Sequence, residues 1–539
     1  MMKLHAQSAH SGADPSSRAT GRGVVPNLQP QWSSLLKSGV LTLVIVVAYG
    51  VVMASTNGHF TLLDDESIII AFAGNNTSYY IHNFLSGQAA NEHPPLSDLL
   101  LHLWLLATNY SFSMLRVFAN LFYIAGVLFT ALATRRISGR SGYRITLVLG
   151  FLWPFAFQYG RITGWYCFCM FMVACLTWSY LKILDDQDYW AWVSFGIAAV
   201  ALVWSNYFGV ALLSIFLADL ILFHRKLIAA RLRLFMVTVT VVAFCFLPLL
   251  EVALSDQQTH SSSLVSVFDP KNALVSFGYP VFSIFASVAV APWYLPLSIP
   301  VFVGVVLLAV SIWHSPGRRW FLYLVFAIAL LQFSGHLTIK RVIFLFPWLF
   351  LAMAIALTSR ESRHPRLATA AVVILLISGW VGILSGRHYA TTNLYEPWGK
   401  VASVVADDAR QGATIISVNP PFFLYLDYQL GLQSATQGAT GPYLQEETYR
   451  SHGYSILLPT NWQTWEENLH GKVVLVDGSG VLELVNDENA LNDALRKRCS
   501  TVGEYHAAPD PAAMWKVRFA KNVPVLANRT NVFWYDCPR

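Results

Sequence analysis

Charge is scarce in this sequence. Lys, Arg, Asp and Glu make up 12% of its 539 residues, while 55% are apolar; a soluble domain usually carries roughly 25% charged residues. Most of the chain must therefore face lipid. The net charge of +6 is small for the length, so nucleic-acid binding has no support. The apolar runs do not alternate with polar residues, which excludes a closed β-barrel as the membrane-crossing element. No short apolar core with a small-residue cleavage site stands near the start, so the first apolar run reads as an uncleaved span and not as a signal peptide. Metal-ligand spacings of the zinc or two-metal kind are absent, and so is the internal repeat common in transporters. Cysteine is also rare, with six residues. Cys167, Cys169, Cys175 and Cys245 fall in apolar runs and read as packing residues. Cys499 and Cys537 fall in a polar tail where oxidising conditions would allow a disulfide, and the sequence leaves their pairing open.

What is present is a series of uncharged apolar stretches, among them Val40 to Ala54, Ile197 to Leu217 and Phe235 to Leu250. A bilayer core takes about 20 helical residues to cross. Lys and Arg concentrate in cytoplasmic loops, and five basic groups set one orientation: the N-terminal tail, Arg135 to Arg144, His224 to Arg233, Arg318 with Arg319, and Arg360 to Arg366. The expected fold is an all-α polytopic membrane bundle of about eleven spans followed by a small α/β soluble domain. Residues 1–36 read as a disordered cytoplasmic tail, 37–386 as the bundle with a first outer loop at about 57–112, and 387–539 as an extracytoplasmic domain with β-like runs at Ala413 to Val418 and Lys472 to Val476. Two places depart from the orientation rule. The inner turn holding Asp185, Asp186 and Asp188 is acidic, and Lys340 with Arg341 lie on the outer side. The stretch broken by Pro280, Pro292, Pro296 and Pro300 reads as a re-entrant or interfacial piece before a span near 298–313. Trp153, Tyr159, Trp165, Trp204, Tyr207, Trp293 and Tyr294 fall at outer span ends and read mostly as an interfacial aromatic belt.

Ionisable groups near a membrane are costly and therefore informative. Asp64, Asp65 and Glu66 follow the first span almost directly, and Glu92 and His93 precede Pro94 and Pro95 ahead of the apolar run Leu96 to Leu106. One reading makes the acids a solvated cap and the prolines the start of an interfacial helix. The other makes them reactive: carboxylates opposite His93, Arg161, Lys340 and Arg341 suit a reaction in which a hydroxyl loses a proton while an anionic group departs. Arg161 alone could be an interface anchor, whereas paired cations at 340 and 341 form a reasonable seat for a phosphate.

Five strings occur in one order: DDE after the first span, HPPL before the next apolar run, GRITGWY at a span start, KRVIFLFPWLFLA late in the bundle and RHYATTNLYEPWGKVASVV after the last span. Over about residues 38 to 420 this resembles the bacterial membrane glycosyltransferases related to protein O-mannosyltransferases and aminoarabinose transferases (glycosyltransferase family 39), which have the GT-C fold. The resemblance implies transfer of a hexose or pentose from a polyprenyl-phosphate carrier to a lipid, glycan or protein hydroxyl. The reaction would run on the outer face of the inner (plasma) membrane, without cofactor or metal, by a multi-pass protein with a cytoplasmic N-terminus. It puts the general base at Asp65, with Glu66 beside it and Asp64 as a rival. His93, Lys340 and Arg341 match carrier-phosphate contacts, Glu92 an acid lining the sugar or acceptor pocket, and Arg161 a position at the same face. Two departures stand out. Aminoarabinose transferases tend to carry Lys where this chain has His93, and their ArgMetTyr-like string reads here from Arg161 through Ile162, Thr163, Gly164 and Trp165 to Tyr166. A transporter or flippase of a lipid-linked sugar, and a scaffold whose outer domain binds a partner, are the competing readings.

Overall fold

A computed structural model of the chain describes residues 29–57, 78, 82, 94–109, 112–185, 188–267, 277–333, 337, 339–385, 398–417, 422, 426, 430, 449–451, 454–457, 469–478, 488–507 and 530–538. The chain forms two compact units, Met1–Val47 and Ala48–Arg539. The described part of the first is the opening of helix α1 (Gln29–Asn57), where Val40, Leu43, Val44 and Val47 are exposed. The second unit holds the rest of α1 and everything that follows.

Helix α2 (Leu96–Ala107) is too short to cross a bilayer, and α3 (Phe112–Leu152) is too long to cross it once. At 1.5 Å per residue its 41 residues would make a rod of about 62 Å, twice the roughly 30 Å of hydrocarbon. Gly139, with φ 64° and ψ −154°, breaks the rod; that backbone region strongly favours glycine. The two arms then run back along each other. The Thr146 hydroxyl donates to Thr134 Oγ1 at 3.0 Å, and Tyr123 OH donates to the Gly150 carbonyl. Gly150 permits the approach, since a Cβ there would sit 2.5 Å from Val127 Cγ1. The sequence predicts spans near 113–134 and 145–158 on either side of the basic residues Arg135 to Arg144, and the hairpin has that arrangement, with the basic segment itself helical up to and beyond the glycine.

There follow α4 (Pro154–Tyr159), α5 (Trp165–Asp185), α6 (Tyr189–Val203), α7 (Gly209–Phe223), α8 (Arg225–Ala230), α9 (Leu232–Val267), α10 (Tyr279–Ala286), α11 (Leu295–Trp313) and α12 (Arg318–Phe333). A 3-10 turn, Arg341–Leu345, leads into α13 (Phe346–Thr358), and α14 (Pro365–Ser385) completes the bundle. Among the described residues, seven helices are long and apolar enough to cross a membrane, and α6 and α7 are shorter apolar helices. The chain is a multi-pass membrane protein. Phe223, Phe244, Phe302, Phe326 and Ile377 point outward as a lipid-facing surface. In α13 every residue from Phe346 to Ala356 is buried, as expected of a helix that is apolar all round and sits at the centre of a bundle.

Polar contacts sort the helix ends into two groups. At one end, Arg136 pairs with Asp185, Lys182 with Asp188 and Arg319 with Asp219, and the rings of His314 and His364 meet edge to face. At the other, Trp153 Nε1 donates to Ile284 O at 2.7 Å, Trp204 Nε1 to Cys245 O at 2.8 Å and Trp380 Nε1 to Leu152 O at 2.8 Å. Trp153, Tyr159 and Trp165 are buried. These three are bundle core, which corrects their reading as a lipid-interface belt. The proline-rich piece forms the buried helix α10 and an irregular return, and α10 contacts α4, α14 and the 3-10 turn.

After α15 (Trp398–Arg410) comes a six-stranded sheet of β1 (Thr414–Ser417), β2 (Tyr449–Ser451), β3 (Tyr454–Leu457), β4 (Gly471–Gly478), β5 (Ser500–Ala507) and β6 (Thr530–Cys537), with α16 (Glu488–Arg498) before β5. The order is β2-β3-β1-β4-β6-β5, parallel across β3-β1-β4 and antiparallel elsewhere. Its core joins Ile416, Val473, Leu475, Leu491, Leu495, Phe533 and Tyr535. Cys499 and Cys537 lie in that core and form a disulfide, with Cα atoms 4.3 Å apart. Asp408 of α15 accepts from Lys472 Nζ and, at 2.6 Å, from Trp534 Nε1, tying the helix to two strands.

Candidate functional site

The site is built around the turn between α4 and α5. Gly164 adopts φ 129°, a conformation side chains rarely enter, immediately before α5 begins at Trp165. Arg161 is fully buried. Its Nη1 donates to Thr56 Oγ1 at 2.6 Å, and its Cζ sits 4.5 Å from the Phe157 ring centroid. Its carbonyl accepts from Arg116 Nη1 at 3.3 Å. Two buried guanidinium groups thus flank one turn beside the last residues of α1. A buried cation is costly unless it is paired or hydrogen-bonded, and the bonds to Thr56 and to the Arg161 carbonyl are part of what holds these two.

The same turn receives the late basic pair. The Trp165 and Tyr166 rings meet at a tilt of 31° with centroids 4.2 Å apart, the Phe344 ring centroid lies 5.1 Å from that of Trp165, and Arg341 Cζ is 5.8 Å from the Trp165 centroid. Arg161 and Arg341, separated by 180 positions in sequence, therefore meet at a single short segment. Lys340, beside Arg341, is half-buried. Asp64, Asp65, Glu66, Glu92 and His93 lie outside the described residues. Their flanks are fixed: α1 ends at Asn57, and Pro94 and Pro95 are buried ahead of α2, whose Leu96 N–H donates to the Trp204 carbonyl at 3.0 Å.

Several polar groups at this end had not been singled out from the sequence. Asn57 and Asn120 are 5% and 7% exposed, and both amide atoms of Asn57 and Oδ1 of Asn120 find no hydrogen-bond partner among the described residues. Leaving such atoms dry and unpaired costs about 1–3 kcal/mol each, which a bound hydroxyl or water would recover. On α2, Asp98 and His102 sit one turn apart on the buried face. Burial, opposed only by the Ser97 hydroxyl, pushes the Asp98 carboxyl up to about 7. Ser287, at φ 71°, donates to Gln158 Oε1 at 2.5 Å and accepts from the Ala289 N–H, seating the return after α10 against α4. A signal existed for Arg116 and Asp98, since each is a lone charge in an apolar stretch. Asn57 and Ser287 carried none. Among the described residues no group of three or more His, Cys, Asp or Glu gathers as a metal site.

The bundle and its appended mixed sheet have the GT-C fold of membrane glycosyltransferases. One solved structure similar over nearly the full length is ArnT from Cupriavidus metallidurans in the apo state, with a TM-score of 0.54 at 12% identity, covering 93% of this chain and 98% of that one. The apo oligosaccharyltransferase of Archaeoglobus fulgidus is similar at a TM-score of 0.43 and 12% identity, over 81% of this chain and 69% of that one. No family model and no curated protein sequence matches the chain.

Proposed function

We propose that this protein is an inverting glycosyltransferase that moves a sugar from a polyprenyl-phosphate carrier to an acceptor hydroxyl at the outer face of the membrane. The observation that carries the reading is the meeting of Arg161 and Arg341 at one turn, with Arg116 behind it, at the end of the bundle where α1 gives way to the segment bearing Asp64, Asp65 and Glu66. The GT-C fold supports it. The disulfide favours an oxidising compartment for the α/β domain, which fits a site on the outer side.

In this reading Asp65, with Asp64 and Glu66 as neighbours, takes the proton of the acceptor hydroxyl as its oxygen attacks the anomeric carbon. The bond from that carbon to the phosphate oxygen breaks, and its electron pair leaves with the phosphate. Attack from the face opposite the leaving group inverts the configuration. Lys340, Arg341 and His93 hold the departing anion, whose growing charge their fixed cations stabilise more than they stabilise the bound donor. Glu92 lines the sugar or acceptor pocket, and Arg161 fixes the turn against which the donor lies. The test is release of carrier phosphate by the purified full-length chain given a polyprenyl-phosphate sugar and a panel of acceptor hydroxyls. Asp65→Asn should abolish release while the melting temperature stays within a few degrees. Transit of the lipid across a bilayer with its sugar bond intact would instead establish a flippase.

A further inference from the structure

At the opposite end of the bundle, the corner between α7 and α9 carries Arg225, Lys226, Arg231 and Arg233 within nine residues, and all four are exposed. A fifth exposed cation, Arg318, opens α12. Its neighbour Arg319 ties the two places together: Arg319 Nη2 lies 3.1 Å from His224 Nε2 and pairs with Asp219. Asp219 is fully used, since it also accepts from Tyr180 OH and sits 3.5 Å from His224. His224 adds little charge, because burial and then Arg319 lower its basicity against the opposing pull of Asp219.

Among the described residues these five exposed cations have no such compensation. Among the described residues none of them pairs with a carboxylate, and the one polar bond they make is from Arg225 Nε to the Ile221 carbonyl at 3.2 Å. Elsewhere at this end the cations do find acids, as in Arg136 with Asp185 and Lys182 with Asp188. The uncompensated group borders exposed apolar side chains, namely Leu222, Phe223, Leu232 and Met236, with Phe223 75% exposed. Positive charge at the rim of a lipid-facing apolar surface matches an amphiphile with an anionic head.

We infer that this corner binds an anionic phospholipid, its phosphodiester head on Arg225, Lys226, Arg231, Arg233 and Arg318 and its acyl chains along Phe223, Leu232 and Met236. The site is independent of the transfer reaction, so its test does not rely on activity. Full-length protein is purified in neutral detergent and offered phosphatidylglycerol or phosphatidylcholine. Native mass spectrometry counts the lipids retained, and a melting curve reads their effect. The wild type should retain phosphatidylglycerol at least tenfold better and melt higher with it. The variant R225Q/K226Q/R231Q/R233Q should lose that preference while behaving as before in phosphatidylcholine. A second variant, R360Q/R363Q/R366Q, removes three exposed cations elsewhere and should keep it. Should the quadruple variant not fold, R225Q/R318Q serves in its place. Equal retention of the two lipids by the wild type, equal loss in the control variant, or displacement by polyprenyl phosphate but not by a second anionic phospholipid would each overturn the assignment.

Discussion

Arg116 and Arg161, 45 residues apart in sequence, are joined by a hydrogen bond from the guanidinium of the first to the carbonyl of the second. The bond couples the first arm of α3 to the turn that opens α5. Replacing the Arg116 side chain therefore removes a support of the backbone that presents Arg161.

Replacing Arg161 tests the contacts its own side chain makes at the turn. The guanidinium holds Thr56 and lies over Phe157 at once, a pairing of hydrogen bond and stacking that an ammonium cannot reproduce. Arg161→Lys is expected to lower kcat/KM for sugar transfer by about 10- to 100-fold, roughly 1.4–2.7 kcal/mol. Initial rates at several donor concentrations measure it. A variant with wild-type rates would remove Arg161 from the working site.

Asp98 gives a stability signature. Its carboxyl is raised to about 7, so the folded protein keeps a proton that the unfolded chain releases near pH 4. Stability therefore falls as pH rises from about 4 to about 7 and is level above that. Asp98→Asn removes this dependence, and its gain in melting temperature over the wild type should be larger at pH 8 than at pH 5. An equal gain at both would mean that the carboxyl is ionised throughout.

The Cys499–Cys537 bond closes a loop across a sequence separation of 38 residues. On loop entropy this contributes about 3–4 kcal/mol. Reduction, or Cys499→Ser with Cys537→Ser, should destabilise the α/β domain by an amount of that order. Denaturant unfolding followed by tryptophan emission, with and without reductant, reads the difference.

The proposed role of His93 makes donor binding depend on pH. An imidazole loses its charge as pH rises through about 6.5, so carrier affinity should weaken above that point if the charged ring holds the phosphate. In His93→Lys the affinity should stay level to pH 9. Titration of carrier binding from pH 5.5 to 9 decides between them, and identical profiles for the two proteins would show that residue 93 does not bind the phosphate as a cation.

The membrane architecture was legible because it rests on composition and on the placement of Lys and Arg. Both are properties of single segments, and the α/β tail was visible as a change in composition for the same reason. The hairpin within α3 was legible as two apolar stretches flanking the basic residues Arg135 to Arg144, but its reversal at Gly139 was not, since one glycine torsion leaves no mark on hydropathy. Trp153, Tyr159 and Trp165 look identical in sequence whether they meet lipid headgroups or the bundle interior; only the packing of α10 and α13 against them decides. Lys340 and Arg341 stood out in the sequence because they depart from the orientation rule. Arg161 was legible as a charge, but its partner Arg116 required knowing which helix ends meet. Asn57 is invisible without coordinates, because its interest lies in the contacts it does not make.

Gly139 also governs what a probe can learn about the protein. Arg135, Arg140 and Arg144 are exposed, yet each sits in helix on one side or other of the reversal, and trypsin cuts extended chain that can enter its cleft. Resistance to digestion there would reflect a rigid corner as readily as a shielding bilayer. Sidedness at this corner is therefore better read by small thiol reagents on an introduced cysteine, which need only solvent contact.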